Sequence, residues 1–271
     1  MARLAVYGEY ILSWFLLLFI SSCSILEDRG PCPCFLTIDY TVVKEADPVP
    51  GGVYALRIYQ PEVALVTSYG ALAAPDQDLQ RVPKAMSRVV AVFHNRPLRD
   101  VLEAGTVVTW EEGNAIDSVF TFSGEVDCTG EEAYCRLTPY KQFSTLTFED
   151  GSGGTYLPQY NLVVRGTTCG FDAATMEAVE GAYLADVQET ADGGGIVRIP
   201  RQKDASLRLE LWTKDDKTRV FTAPVGAYLF EMGYDPSAQD LPDYHVRIDF
   251  RQAQLYIRVA DWEEEGVFLM Y

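Results

Sequence analysis

Ser206-Leu207-Arg208-Leu209-Glu210-Leu211-Trp212-Thr213 sets Leu207, Leu209 and Leu211 on one side of an extended chain and Arg208, Glu210 and Trp212 on the other. Strand side chains alternate between faces with a period of two, so this is a strand with one face in a core. The alternation recurs in Tyr244 to Phe250, where Val246, Ile248 and Phe250 oppose His245, Arg247 and Asp249. It recurs again in Gln254 to Trp262, where Leu255, Ile257 and Val259 share a face. One-sided burial is the mark of antiparallel sheets packed face to face.

Working outward, Phe35 to Val43 is apolar and β-branched and is closed by Asp47-Pro48-Val49-Pro50-Gly51-Gly52, a strand followed by a turn. Val53 to Tyr59, Val63 to Ser68, Arg88 to His94, Val107 to Trp110 and Val119 to Phe122 keep the same short rhythm, punctuated by Pro, Gly and Asn. At about Arg136 the pattern restarts with Phe143 to Phe148, a glycine turn at Gly151 to Gly154, and Gln159 to Arg165. Helical candidates are short, Leu98 to Glu103 and Ala173 to Val179. The expected class is all-β: two tandem antiparallel sandwiches, residues 23–135 and 136–271, each of ~100 to 135 residues. The halves correspond in rhythm without a residue-level repeat.

Residues 1–22 read as a secretory signal, with Arg3 near the start, an apolar Ile11 to Ile20 interrupted by Ser13, and small Ser21 and Ser22 before Cys23. A ten-residue stretch falls short of the ~20 helical residues that cross a bilayer. Ile20-Ser21-Ser22-Cys23 resembles a bacterial lipobox, which makes Cys23 the expected diacylated first residue of the mature chain. The alternative is ordinary cleavage nearby with Cys23 left as a disulfide partner. Each buried acyl methylene contributes ~0.8 kcal/mol, so more than one chain anchors firmly. Ser24 to Pro31 is a tether, whose Glu27-Asp28 is similar to the short acidic signals of surface-exposed lipoproteins; a plain acidic linker is the other reading.

Residues 1–22 hold one base, Arg3, and one acid, Glu9, so the rest of the chain keeps 21 Lys+Arg, 38 Asp+Glu and a net charge of −17. Nucleic-acid binding rests on clustered Lys and Arg, so nucleic acid is not an expected partner. With 48% hydrophobic residues, 16 Tyr and 13 Phe, the chain is nonetheless equipped to build cores.

Six cysteines in an exported chain point to oxidised pairs. Cys128 and Cys135 flank the polar stretch TGEEAY and are the expected disulfide, stapling a hairpin. Cys32 and Cys34 are poor partners for each other because neighbouring strand side chains point to opposite faces; one of them would reach Cys169. With His94 and His245 as the two histidines, no zinc site is expected, and both read as ordinary strand histidines rather than catalytic bases. There is no G-x-S-x-G elbow, no H-E-x-x-H and no phosphate loop. Asp235, Asp240 and Asp243 miss the calcium-loop pattern and fit a solvated turn better. Glu263-Glu264-Glu265 reads as a soluble edge, and Trp110 and Trp262 as core residues before sugar platforms.

Cys23 to Ile38, with its lipid-type cysteine, acidic segment, Cys32-Pro33-Cys34 and first strand, resembles the fimbrial anchor (FimB-like) lipoproteins of Bacteroidales pili. Gly233-Tyr234-Asp235, Asp240 to Ile248 and Ile257 to Trp262 resemble that family's closing strands. The resemblance implies two transthyretin-like sandwiches, a place on the outer-membrane surface and no catalysis. Other pilus subunits are the implied partners, met by β-strand addition, and the lipid on Cys23 is the sole attached group. In such pilins the first strand is cleaved away to open a groove, whereas an anchor keeps it. Arg29 is the one basic residue between Cys23 and Phe35, so this chain is expected to keep its first strand. Val267 to Tyr271 is expected to pair along its own sheet rather than be donated. The competing expectation is a surface glycan-binding lipoprotein.

Overall fold

The structure, a computed structural model, describes residues 32–45, 52–60, 63–72, 76–94, 102, 105–113, 116–153, 157–261 and 265–269. Strand β1 (Cys34–Asp39) buries Cys34, Leu36 and Ile38 and turns Phe35 outward. It ends before the expected Val43 because Asp39 Oδ1 accepts both the backbone N–H and the hydroxyl of Thr41, at 2.9 and 2.6 Å. That side-chain turn redirects the chain into a one-turn helix, α1 (Thr41–Glu45).

The first sandwich continues with β2 (Val53–Gln60), β3 (Val63–Ala71), β4 (Gln77–Val82) and β5 (Met86–His94). After β6 (Val107–Thr109) come β7 (Val119–Asp127), β8 (Glu132–Arg136) and the two-residue β9 (Tyr140–Lys141). One sheet has the order β4-β1-β8 and faces a second, β3-β2-β5-β7-β9. Leu36, Ile38, Leu56, Ile58, Val89 and Phe93 fill the space between them.

The second sandwich is built from β10 (Phe143–Asp150), β11 (Tyr160–Asp172), β12 (Ala178–Asp186), β13 (Gln188–Glu189) and β14 (Gly195–Pro200). It continues with β15 (Arg208–Thr213), β16 (Arg219–Ala223), the helix α2 (Val225–Glu231), β17 (Tyr244–Asp249), β18 (Gln254–Val259) and β19 (Glu265–Leu269). Its sheets are β13-β14-β10-β17-β18-β19 and β12-β11-β15-β16.

Counting seven principal strands in each sandwich, from β1 and from β10, gives one topology twice. The fourth, first and seventh strands form one sheet, and the third, second, fifth and sixth the other. In both, the first strand is antiparallel to the fourth and parallel to the seventh. This is the expected transthyretin-like order. The repeat is carried by pairing, not by residue identity. The sandwiches differ at one edge: the seventh strand of the second, β17, is extended by β18 and β19, whereas β8 pairs with β1 alone among the described strands.

Three segments depart from the expectation. Ala173 to Val179 is a turn entering β12 rather than a helix, because the Asp172 carboxylate accepts the Ala174 N–H at 2.8 Å and β11 pairs onward with β12. The stretch after Cys128 does not fold back as a hairpin on β7; Glu132–Arg136 crosses to lie parallel to β1. Val107–Thr109 is a strand, but it pairs with β11 of the second sandwich. There Gly170 has no room for a Cβ, which would collide with the Val108 carbonyl. Leu98 to Glu103, apart from Leu102, lies outside the described residues, as do Cys23, the tether and Trp262.

β5 is buried on both faces. Val89, Ala91 and Phe93 enter the first sandwich, while Val90 and Val92 join Ala55, Val119, Phe171 and Ala173 in a separate cluster against the second. Hence its sequence reads as an unbroken apolar run.

Candidate functional site

The site that the sequence points to is the seat of β1. Its six residues pair with Val82 to Gln77 on one side, and Phe35 to Asp39 pair with Glu132 to Arg136 on the other. Beyond the ladder, the Phe35 N–H donates to the Glu131 carbonyl at 2.8 Å and the Leu137 N–H to the Asp39 carbonyl at 3.0 Å. Removing β1 would open two strand edges and take Cys34, Leu36 and Ile38 out of the core, leaving a groove of unpaired N–H and C=O groups over apolar pockets. Such a groove is what strand addition fills.

A buried carboxylate closes the far end of that seat. Asp39 Oδ1 holds Thr41, while Oδ2 accepts the Tyr134 hydroxyl and, at 3.4 Å, Nε of Arg136. The bonds from Thr41 first, then Tyr134 and Arg136, hold its pKa well below the usual carboxylate range. Asp39 thereby joins the end of β1 to β8. Sequence reading missed it: the partners lie 95 and 97 positions away.

At the other end of the chain, β19 pairs antiparallel with β18, from Gln254↔Leu269 to Arg258↔Glu265. Phe268 stacks on Tyr228 with ring centroids 4.0 Å apart and planes 13° apart, and Glu265 takes a 2.6 Å ion pair from Arg247. The expected self-pairing is the arrangement found. Met270 and Tyr271 lie outside the described residues.

The remaining candidates scatter. His94 is buried, with Nε2 3.6 Å from Asp117 Oδ2, and His245 sits half-buried on the polar side of β17. Asp235 caps its own turn by accepting the N–H and hydroxyl of Ser237, and Asp243 binds Lys141 Nζ and the Thr145 N–H at 2.9 and 2.6 Å. Asp240 is exposed between them, so the three do not converge. Trp110 is half-buried against Phe171. Of the glutamate run only Glu265 is described.

A concavity of about 490 Å³ on the outer face of β11 and β15, lined by Tyr160, Asn161, Arg165, Asp186, Glu210 and Trp212, had no distinct signal in the sequence. Glu210 is buried there, 3.4 Å from Arg219 and 3.7 Å from Arg165, and accepts the Trp212 indole N–H at 3.2 Å. It offers an aromatic face beside paired charges, as sugar sites do, but with one indole rather than a platform.

No disulfide joins the five described cysteines in this structure. Cys34, Cys128 and Cys135 share the core of the first sandwich. Cys169 lies on β11 over Gly181, away from that cluster. Burial, then the neighbouring Cys128, pushes the Cys34 thiol upward, and the same two causes in the same order push Cys135 up to about 12.

Two sandwiches of one transthyretin-like topology in tandem, the second extended by a terminal hairpin, define the class of protein. The fold recurs in the fimbrial anchor protein Mfa2 from Porphyromonas gingivalis, with a TM-score of 0.62 and 10% identity over 89% of this chain and 100% of that one. It recurs in a candidate polysaccharide-binding protein from Bacteroides thetaiotaomicron, with a TM-score of 0.62 and 14% identity over 88% and 98% of the two chains. A candidate adhesin from Bacteroides ovatus gives a TM-score of 0.60 and 13% identity over 90% and 97%. No protein-family profile and no curated protein matches the chain. At these identities the likeness is one of fold.

Proposed function

We propose that this chain is a structural subunit of a surface pilus, of the anchor type, held to the outer membrane by lipid on Cys23. The observation that carries the reading is the seat of β1: the groove into which a neighbour's strand would insert is already filled by the chain's own first strand. Eleven residues separate Cys23 from Phe35, a short tether between lipid and strand. A subunit so built ends strand exchange at that groove, and its partners are other pilus subunits meeting its free edges. The fold it shares with a fimbrial anchor protein supports the reading. Its activity is then assembly rather than catalysis.

Cys23→Ala is expected to release both the protein and its pilus from the cell surface, read by fractionation and by mass spectrometry of the acylated N terminus. Retention of both on the membrane, or a mature N terminus beyond Phe35 without an acyl group, would overturn the anchor reading. Co-purification from native membranes is expected to recover pilin-like polypeptides.

A second reading, glycan binding by a surface lipoprotein, draws on the Trp212 concavity and on the fold shared with the candidate polysaccharide-binding protein. It requires Trp212→Ala to lose retention on immobilised polysaccharide while the pilus stays attached.

A further inference from the structure

We propose that the outer face of β11, β15 and β16 binds an acidic polysaccharide, with a sugar ring on Trp212 and the carboxylates on Arg165, Arg208 and Arg219. Such a site rests on the glycan-binding reading of the Trp212 concavity and narrows it to acidic glycans. The three arginines, all exposed, line one hollow of about 530 Å³ with Thr167, Ser206 and Trp212. It adjoins the concavity already described, and the half-buried Trp212 lines both. The one carboxylate in this hollow is the buried Glu210. Three guanidinium groups around one acid leave a local excess of positive charge on a chain whose net charge is −17.

Folding alone does not favour this grouping. Arg165 on β11 stands directly opposite Arg208 on β15, and like charges facing each other across a strand pair are destabilising. Glu210 offsets part of the repulsion, lying 3.7 Å from Arg165 Nε and 3.4 Å from Arg219 Nη1. Arg208 has no ion pair among the described residues. Arg165 and Arg219 each meet Glu210 through one nitrogen, so the rest of each guanidinium fork is left for a ligand. A guanidinium fork fits a carboxylate through two parallel hydrogen bonds.

The indole and the hydroxyls select the sugar. Glu210 accepts the Trp212 N–H at 3.2 Å, and the Arg219 guanidinium lies 5.9 Å from the ring centroid, so the indole is fixed beside the charges. An indole packs on the apolar C–H side of a pyranose. Thr167 and Ser206, hydrogen-bonded to each other at 2.6 Å, and Asn161 in the adjoining concavity exchange hydrogen bonds with sugar hydroxyls. That concavity sets Lys214 and Lys217 against Asp186 and Glu189, so acid groups are held on the arginine side. Nucleic acid, with one charge per ~1.7 Å of duplex, is repelled by the rest of so acidic a surface. A chain with at most one acid group per sugar ring is repelled far less.

The test is retention of the full exported chain on three immobilised probes: polygalacturonate, the same polymer with its carboxylates reduced to alcohols, and polyglutamate. Polygalacturonate should hold the protein at low salt and release it as ionic strength rises; the other two should not hold it. Arg208→Gln should weaken retention roughly tenfold. Its melting temperature should equal or exceed the parent's, since the repulsion from Arg165 is gone. Trp212→Ala should weaken retention as well, whereas Arg81→Gln, which removes a charge from β4 of the first sandwich, should leave it unchanged. Equal retention on polyglutamate, an equal effect of Arg81→Gln, or a lowered melting temperature for Arg208→Gln would overturn the proposal. Retention on the reduced polymer that depends on Trp212 but not on Arg208 would refute the acidic class and leave the glycan-binding reading standing. Retention on neither polysaccharide would refute both, and pilus attachment is independent of every one of these results.

Discussion

Asp39 shows what a single residue contributes to seating the first strand. Its carboxylate gathers donors from Thr41, Tyr134 and Arg136 in a buried position, and each bond to a charged acceptor is worth ~1.5–3 kcal/mol. Asp39→Asn is expected to lower stability by about 2 kcal/mol at neutral pH, measured by urea unfolding. The pH dependence has a definite sign. The folded-state pKa lies below the unfolded value, so the contribution is complete above the unfolded pKa of ~3.9 and fades as pH falls through the folded value. The parent should lose stability more steeply than Asp39→Asn below about pH 4, and parallel acid titrations would refute the latch. The alternation of Leu36 and Ile38 was readable in the sequence because it is local. The role of Asp39 was not, because its β8 partners are nearly a hundred positions away.

Among the elements, those with one apolar face were legible and the polar edge strands were not. Gln77–Val82 and Glu132–Arg136 carry mostly exposed or half-exposed side chains, so periodicity gave them little weight. Yet these are the two walls of the β1 seat. Ala173 to Val179 erred the other way: Ala, Met and Glu favour a helix, and tertiary pairing with β11 overrode them. The terminal hairpin carries an element-scale prediction. Deleting Val267 to Tyr271 removes the Phe268 stack on Tyr228 and bares β18 as a sheet edge. The truncated protein should melt several degrees lower and aggregate more readily, followed by thermal scanning with light scattering. An unchanged melting curve with loss of pilus attachment would instead mark the segment as a donated strand.

For the whole molecule, the second face of β5 matters most. Ala55, Val90, Val92 and Val119 meet Phe171 and Ala173, and β6 leaves the first half of the chain to pair in the second half. A buried apolar contact reinforced by strand pairing couples the two sandwiches, whereas domains joined by a small polar contact move independently. Calorimetry should show one main transition, and Phe171→Ala, at ~3–5 kcal/mol for a buried Phe, should lower it or split it in two. Two resolved transitions in the parent would refute the coupling. By itself, the sequence determined the all-β class, most strands of the second sandwich and the absence of any familiar catalytic motif, since alternation and motif spacing are local properties of the chain. Tertiary structure alone decided that β1 sits parallel to β8, that Cys34, Cys128 and Cys135 share one core, that β6 serves the other sandwich and that one topology occurs twice. Each of these is a pairing between distant segments, and register between distant segments is fixed only when whole sheets close over a shared core.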